Sequence, residues 1–252
     1  MVLQGQPCGR ARLHVLSTHV SADQISFDVA MLATPHIDGY AGATRANWQA
    51  YCDRHGYEFT CWREAVLEDM HLIWSKIELM RRHMREMTAD WLVVVDADTL
   101  VNKPERTLAE LVLAHPGKDF LISEDCSRRF GVPLPLGLRG VVSARTLRPP
   151  NCGFMMIRAS DFGQRFLDEW LENGRGKFSH IADVFPREQW VLWMSLFREQ
   201  RDRIAVLGPE IMRMGNQPTL DRFTDWSDAF VLHDKRLPGC DSLTVEDLPL
   251  RS

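Results

Sequence analysis

Two aspartates, Asp96 and Asp98, stand one residue apart immediately after the unbroken apolar run Trp91-Leu92-Val93-Val94-Val95. Such a run suits a strand buried on both faces of a largely parallel sheet, and open α/β sheets bind ligands beyond the carboxyl ends of their strands. In an extended segment, carboxylates at this spacing approach one site from the same side. Their like charges repel unless a cation lies between them. A hard divalent ion, Mg²⁺ or Mn²⁺, with coordination positions left open for phosphate oxygens, fits that requirement. An Asp-x-Asp at a strand end also serves simply to turn the chain and cap the next helix. The apolar run ahead of it shifts the balance toward the metal.

The elements that must position this pair alternate between strand and helix. Residues 13–16 read as a first strand leading into Ser17 and Thr18. A helix over 46–55 carries Trp48, Tyr51, Cys52 and His55 on one face, with Gly56 as a left-handed cap, and 57–62 reads as a strand. Trp74, Ile77, Met80, Met84 and Met87 trace an apolar stripe through a helix over 74–87. Pro104 opens a helix with Leu108, Leu111 and Val112 on one side. Strands follow at 120–123 and 154–157. Ser160 then caps a helix bearing Phe162, Phe166, Leu167, Trp170 and Leu171, ending near Asn173-Gly174. Pro186 starts a last long helix with Trp190, Trp193, Met194 and Phe197, and 204–207 and 229–232 read as closing strands. The Arg-, Gly- and Pro-rich stretch 127–150 reads as an irregular loop over the site. This alternation predicts an α/β architecture with a mainly parallel central sheet flanked by helices.

Composition narrows the function. The 252 residues carry 30 Lys+Arg against 34 Asp+Glu, a net charge of −4, which argues against a nucleic-acid binder driven by positive charge. No apolar run approaches the roughly 18 residues of a membrane span, and residues 1–12 lack the apolar core of a secretory signal. The six cysteines are scattered without a C-x-x-C pair. Reduced thiols in a cytoplasmic protein are the expectation.

Two family resemblances attach to these residues. Val93-Val94-Val95-Asp96-Ala97-Asp98-Thr99 is similar to the haloacid-dehalogenase phosphatase signature, in which Asp96 would be a nucleophile. That family usually carries the motif on its first strand and has a later paired-acid motif after an apolar strand, which is not found here. The second resemblance spans Asn47 to Cys240, in family order: Asn47-x-x-x-Tyr51, His55-Gly56-Tyr57, Trp74-Ser75-Lys76 with Arg81, Asp90-Trp91 leading to Asp96-Ala97-Asp98, Asn151-Cys152-Gly153, Phe166-Leu167-Asp168-x-Trp170, Glu188-Gln189, and His233 ahead of Gly239-Cys240. Together they resemble the retaining glycosyltransferases of family 34 (galactosyl/xylosyltransferase type), related to the glycogenin and lipopolysaccharide galactosyltransferase group.

This resemblance implies a GT-A fold in a single domain over 1–252, with a nucleotide-binding part at about 10–100 and an acceptor-binding part at about 101–240. It also implies a nucleotide-sugar donor, most often UDP-linked, and Mn²⁺ or Mg²⁺. Asp96, Asp98 and His233 would be the metal ligands, with Asp96 and Ala97 also at the donor. Ser17, Thr18, Asn47, Tyr51, Lys76, Arg81, Asn151, Gly153 and Lys235 would line the nucleotide-sugar site, with Arg236 an alternative to Lys235 at the diphosphate. Glu188-Gln189 would stand beside the anomeric carbon, although the family's first member is usually Asp. Glu124-Asp125, at another strand end, would meet the hydroxyl-bearing acceptor: a glycan, a lipid-linked sugar or a small molecule. The implied reaction is sugar transfer with retention, by same-face attack or by double displacement through Glu188. A non-catalytic nucleotide-sugar-binding protein on the same fold is the other alternative.

Overall fold

Strand β3 (Trp91–Val95) is buried along its whole length. Trp91, Val93 and Val95 enter one hydrophobic core, and Leu92 and Val94 enter a second on the opposite face. An apolar run without alternation therefore reflects a sheet covered on both sides. The computed structural model describes residues 24–125, 149–214 and 228–233. The strand expected at 13–16, Ser17, Thr18, nearly all of the 127–150 stretch, Lys235 and Arg236 lie outside the described residues.

On one side of β3 runs β1 (Phe27–Leu32), with β2 (Glu58–Trp62) beyond it, both parallel. On the other side β6 (Pro150–Arg158) runs antiparallel, followed by β5 (Phe120–Glu124) and β7 (Ile204–Leu207). The order is β2-β1-β3-β6-β5-β7, and only β6 opposes the rest. The expected α/β sheet is thus mainly parallel with one reversed member. Helices α1 (Asp38–His55) and α3 (Leu108–Leu113) supply the first core. Helices α2 (Trp74–Glu86), α4 (Asp161–Arg175), α5 (Ser179–Ala182), α6 (Glu188–Met194) and α7 (Leu196–Glu199) supply the second. A second sheet, β4-β9-β8, joins β4 (Thr99–Val101), β8 (Met212–Met214) and β9 (Val231–His233). Its register sets His233 opposite Thr99, beside the Asp-x-Asp. Among the described residues no helix is long and apolar enough to cross a membrane, and Cys52, Cys61 and Cys152 are free thiols.

Several boundaries differ from the sequence reading, each for a local reason. Strand β1 went unread because Asp28 interrupts its apolar run, and the carboxylate finds its partner far along the chain, on the His83 ring of α2 at 3.1 Å. Helix α1 begins at Asp38, two turns before residue 46, although Gly39 and Gly42 weaken helix propensity there. Buried Ala41 and Thr44 anchor those turns instead. The helix expected from Pro104 starts at Leu108, where Thr107 and Glu110 form a capping box. The single helix expected after Pro186 is two, α6 and α7, broken at Ser195. The closing strand at 229–232 belongs to the small sheet as β9, outside the main one.

Candidate active site

The carboxyl end of β3 delivers Asp96, whose backbone N–H donates to Gly153 O of β6 at 3.0 Å. The turn is then fixed from behind. Trp48 Nε1 donates to Thr99 Oγ1 (3.1 Å), and that hydroxyl donates to Asp96 O (2.7 Å). Both ends of the Asn47 amide bind the Val101 backbone, at 2.7 and 3.2 Å. The Tyr51 hydroxyl donates to Arg106 O at 2.8 Å. Asn47 and Tyr51 are wholly buried. They position the chain that leaves the Asp-x-Asp turn, and their polar groups are directed at backbone.

Asp96, Asp98 and His233 converge, with one ligand atom from each lying within 4.8 Å of the others. His233 Nε2 is 3.1 Å from Asp98 Oδ1 and 3.9 Å from Asp96 Oδ2. Burial opposes a charge on His233, yet Asp98 and Asp96 outweigh it and raise its pKa above the ordinary imidazole value. His233 Nδ1 is buried with no hydrogen-bond partner. The ring is therefore aimed at the carboxylates through Nε2 alone. Two hard carboxylate oxygens and one imidazole nitrogen at this spacing fit Mn²⁺ or Mg²⁺.

Behind the triad lies a buried ionic cluster. Lys76, 1% exposed in the first turn of α2, bonds Asp96 Oδ1 at 2.8 Å and Cys152 O at 3.3 Å, and lies 3.5 Å from Glu188 Oε1. Burial works against its charge, but Asp96 and Glu188 raise its pKa overall, so the ammonium persists. Glu188 is raised by burial against the pull of Lys76. The Cys152 thiol is pushed well up by burial and stays protonated. Lys76 is thus an internal counter-charge, spending its bonds on Asp96 and the β6 backbone. Gln189 is clamped between Cys152 N, which donates to its Oε1 (3.1 Å), and Asp125 Oδ2, which accepts from its Nε2 (3.0 Å). Asn151 Oδ1 accepts from Gly153 N at 2.8 Å. A Cβ on Gly153 would lie 2.6 Å from the His233 ring, so only glycine lets that ring approach.

Not every expected residue arrives. Arg81 is diverted into an ion-pair clamp with Asp168 of α4 and Glu78, each at 2.6 Å. Asp125 is buried and accepts from the Gln189 and Asn151 amides. Glu124 lies at the exit of β5, and Ala97 packs into the first core. Two features escaped the sequence reading. Tyr40, near the start of α1, is half-buried, and burial followed by the charges of Asp98 and Asp96 raises its hydroxyl pKa. Its hydroxyl therefore senses both carboxylates. Arg187, directly before Glu188, has φ 55° and ψ −113°, strain of order 1–3 kcal/mol that is retained typically at functional sites.

A mainly parallel sheet with one reversed strand, carrying an Asp-x-Asp at the carboxyl end of β3, places the protein in the GT-A class of glycosyltransferase folds. Comparison with known proteins agrees. Residues 33–126, running from the β1–α1 turn through the Asp-x-Asp to the end of β5, match the galactosyl transferase GMA12/MNN10 family. The chain is 24% identical over 156 residues to an alpha-1,2-galactosyltransferase of Schizosaccharomyces pombe, covering 56% of this chain and 42% of that protein. It thus spans less than half the length of that curated relative. Among solved structures, a glycosyltransferase involved in the glycosylation of the major capsid of PBCV-1 shares the fold, with a TM-score of 0.64 at 16% identity over 86% of this chain and 97% of that one. The glycosyltransferase GlyE of Streptococcus pneumoniae TIGR4 gives 0.52 at 12% identity over 83% of this chain and 54% of that one. The chain is glycosyltransferase-like, similar to that family over residues 33–126, the stretch that carries the Asp-x-Asp. The aspartyl-phosphatase alternative loses its footing, because β3 follows two other strands and the fold is that of glycosyltransferases.

Proposed function

We propose that the protein is a metal-dependent glycosyltransferase moving a hexose or pentose from a UDP-linked donor to an acceptor hydroxyl with retention of anomeric configuration. The observation that carries this reading is the convergence of Asp96, Asp98 and His233 at the carboxyl end of β3. Mn²⁺ (or Mg²⁺) held by these three supplies Lewis acidity toward the departing diphosphate. Lys76 orients Asp96 from behind. Tyr40 offers a ring to the nucleoside at the dyad's edge, and the β1–α1 turn, with buried Thr34, faces the same carboxyl end. Gln189, held at both ends of its amide, presents a fixed dipole beside the reacting carbon, which suits stabilisation of developing positive charge. Glu188 is buried and committed to Lys76, which favours same-face attack over a double displacement through its carboxylate.

The test is to incubate the protein with Mn²⁺ and a panel of nucleotide sugars and follow nucleoside-diphosphate release. We expect slow UDP release, abolished by a chelator and by Asp98→Ala. Release indifferent to both would overturn the reading. Tight UDP binding without turnover, whatever the acceptor, would reduce the protein to a nucleotide-sugar-binding module.

A further inference from the structure

Strand β6 loses its register with β5 where it passes the site. Ile122 pairs with Met155, yet the next residue, Ser123, pairs with Asn151, so 152–154 bulge out of that ladder. A bulge frees backbone groups, and buried ones must find other partners. Ser123 Oγ donates to Phe154 O at 3.0 Å, and Lys76 Nζ donates to Cys152 O at 3.3 Å. Asp96 N, at the end of β3, donates to Gly153 O at 3.0 Å. The N–H groups go to two amide oxygens: Cys152 N donates to Gln189 Oε1 (3.1 Å) and Gly153 N to Asn151 Oδ1 (2.8 Å). Both amides turn their NH2 ends toward one atom, Asp125 Oδ2, which lies 3.0 Å from Gln189 Nε2 and 3.4 Å from Asn151 Nδ2. Asp125 is itself buried, and its N–H donates to Pro149 O at 2.7 Å.

We infer that Asp125 is a positioning residue for the reaction, which sets the direction of the Gln189 amide. An amide turned end for end keeps almost the same shape, and its hydrogen-bond partners alone decide between the two orientations. Here the bulge offers N–H donors on one side and Asp125 Oδ2 accepts on the other, so Gln189 and Asn151 are each fixed from both ends. Gln189 directly follows Glu188, whose Oε1 lies 3.5 Å from Lys76 Nζ, and that ammonium is 2.8 Å from Asp96 Oδ1. The orientation set at Asp125 is thereby delivered to the reacting centre, a role that rests on the glycosyl-transfer reading above and extends it to the group that aims Gln189.

Two readouts test this, one of them independent of turnover. In two-dimensional amide NMR spectra of the full chain, the Gln189 NH2 pair is assigned by its loss in Gln189→Ala. We expect Asp125→Ala to move that pair to the shifts of a solvent-exchanging amide. With Mn²⁺ and UDP-galactose, UDP-glucose or UDP-xylose, Asp125→Ala should slow UDP release to water about tenfold or more while Mn²⁺ affinity stays within about twofold. Asp125→Asn, which keeps an oxygen in the same place, should recover most of the rate. Adding Asp125→Ala to Gln189→Ala should cost nothing further, because residues that act as a unit are not additive. An unmoved Gln189 pair, or losses that multiply in the double variant, overturns the inference. So does UDP release at the parent rate in Asp125→Ala, the result expected of a residue that meets only the acceptor. Where Asp125→Ala does not fold, the double variant compared with Gln189→Ala decides the point. A parent that releases no UDP overturns the glycosyl-transfer reading and this role with it, whereas the outcomes above remove the role and leave that reading standing.

Discussion

At the scale of single residues, the site depends on one missing side chain as much as on those present. Gly153 admits the His233 ring so closely that an added Cβ would stand 2.6 Å from its Cε1 and Nδ1 and 2.9 Å from Asn151 Oδ1. Gly153→Ala should push the imidazole away from the two carboxylates while leaving the β6 ladder intact. Altering a group that orients a metal ligand typically costs 10–100-fold in metal affinity. We therefore expect Mn²⁺ binding, read from the paramagnetic resonance of free ion, to weaken at least about tenfold. Unaltered binding would show that His233 is not a ligand. Asp96 and Asp98 were legible in the sequence because residue type, spacing and an apolar run together declare a buried strand end. The partners of Arg81 and Asp125 were not legible for the opposite reason: Asp168 and the Asn151 and Gln189 amides come from distant elements. Tyr40 was invisible because it lies on helical turns that two glycines disguised.

Between elements, the seam of α2 with α4 holds Lys76 in place. Gly174 of α4 lets the Trp74 ring lie flat against the helix, and a Cβ there would stand 2.4 Å from that ring. Gly174→Ala should cost about 1–3 kcal/mol by overpacking. Gly42, inside α1 with nothing within 4 Å, should behave oppositely, Gly42→Ala adding about 0.5–1 kcal/mol. Denaturant midpoints of the two variants moving in the same direction would refute this contrast. The seam is also pH-sensitive. Burial raises the Glu78 pKa, but hydrogen bonds from Arg82 and Arg81 overcome it and hold the carboxyl below its ordinary 4.5. A depressed folded pKa contributes stability that is complete above 4.5 and is lost as pH falls through the folded value. Glu78→Gln should therefore lower the urea midpoint at pH 7 and flatten its fall between pH 5 and about 3. An acid limb identical to the parent's would show that Glu78 plays no part. The helices of this seam were readable from their apolar stripes, whereas the ionic clamp that fastens them was not, since Glu78, Arg81 and Asp168 are ordinary surface residues until the helices are packed.

Across the whole molecule, the proposed ligand set is split between distant stretches of chain. Asp96 and Asp98 end a central strand, whereas His233 comes 135 residues after Asp98, on the small sheet. The sequence order of these pieces was readable; the register of β4 with β9 that joins them was not, because strands of three residues leave almost no periodicity. Closure of the site is therefore long-range: among the described residues Asp96 and Glu188 meet the ammonium of Lys76 while Asp98 and Asp96 meet the His233 ring, an excess of carboxylates. A divalent ion with a nucleoside diphosphate would relieve that imbalance only in the folded state, because the unfolded chain does not hold the three ligands together. Binding to the native state alone adds about 2.7 kcal/mol at a hundredfold excess over Kd. For a chain of this size that corresponds to about 5–11 °C in Tm. Mn²⁺ and UDP together should produce this shift in the parent and fail to do so in Asp98→Asn, which keeps the side chain's size and removes its charge. Differential scanning calorimetry separates the outcomes: equal shifts in parent and variant would place the ligand elsewhere, and no shift in the parent would mean that the triad does not gather a cation at all.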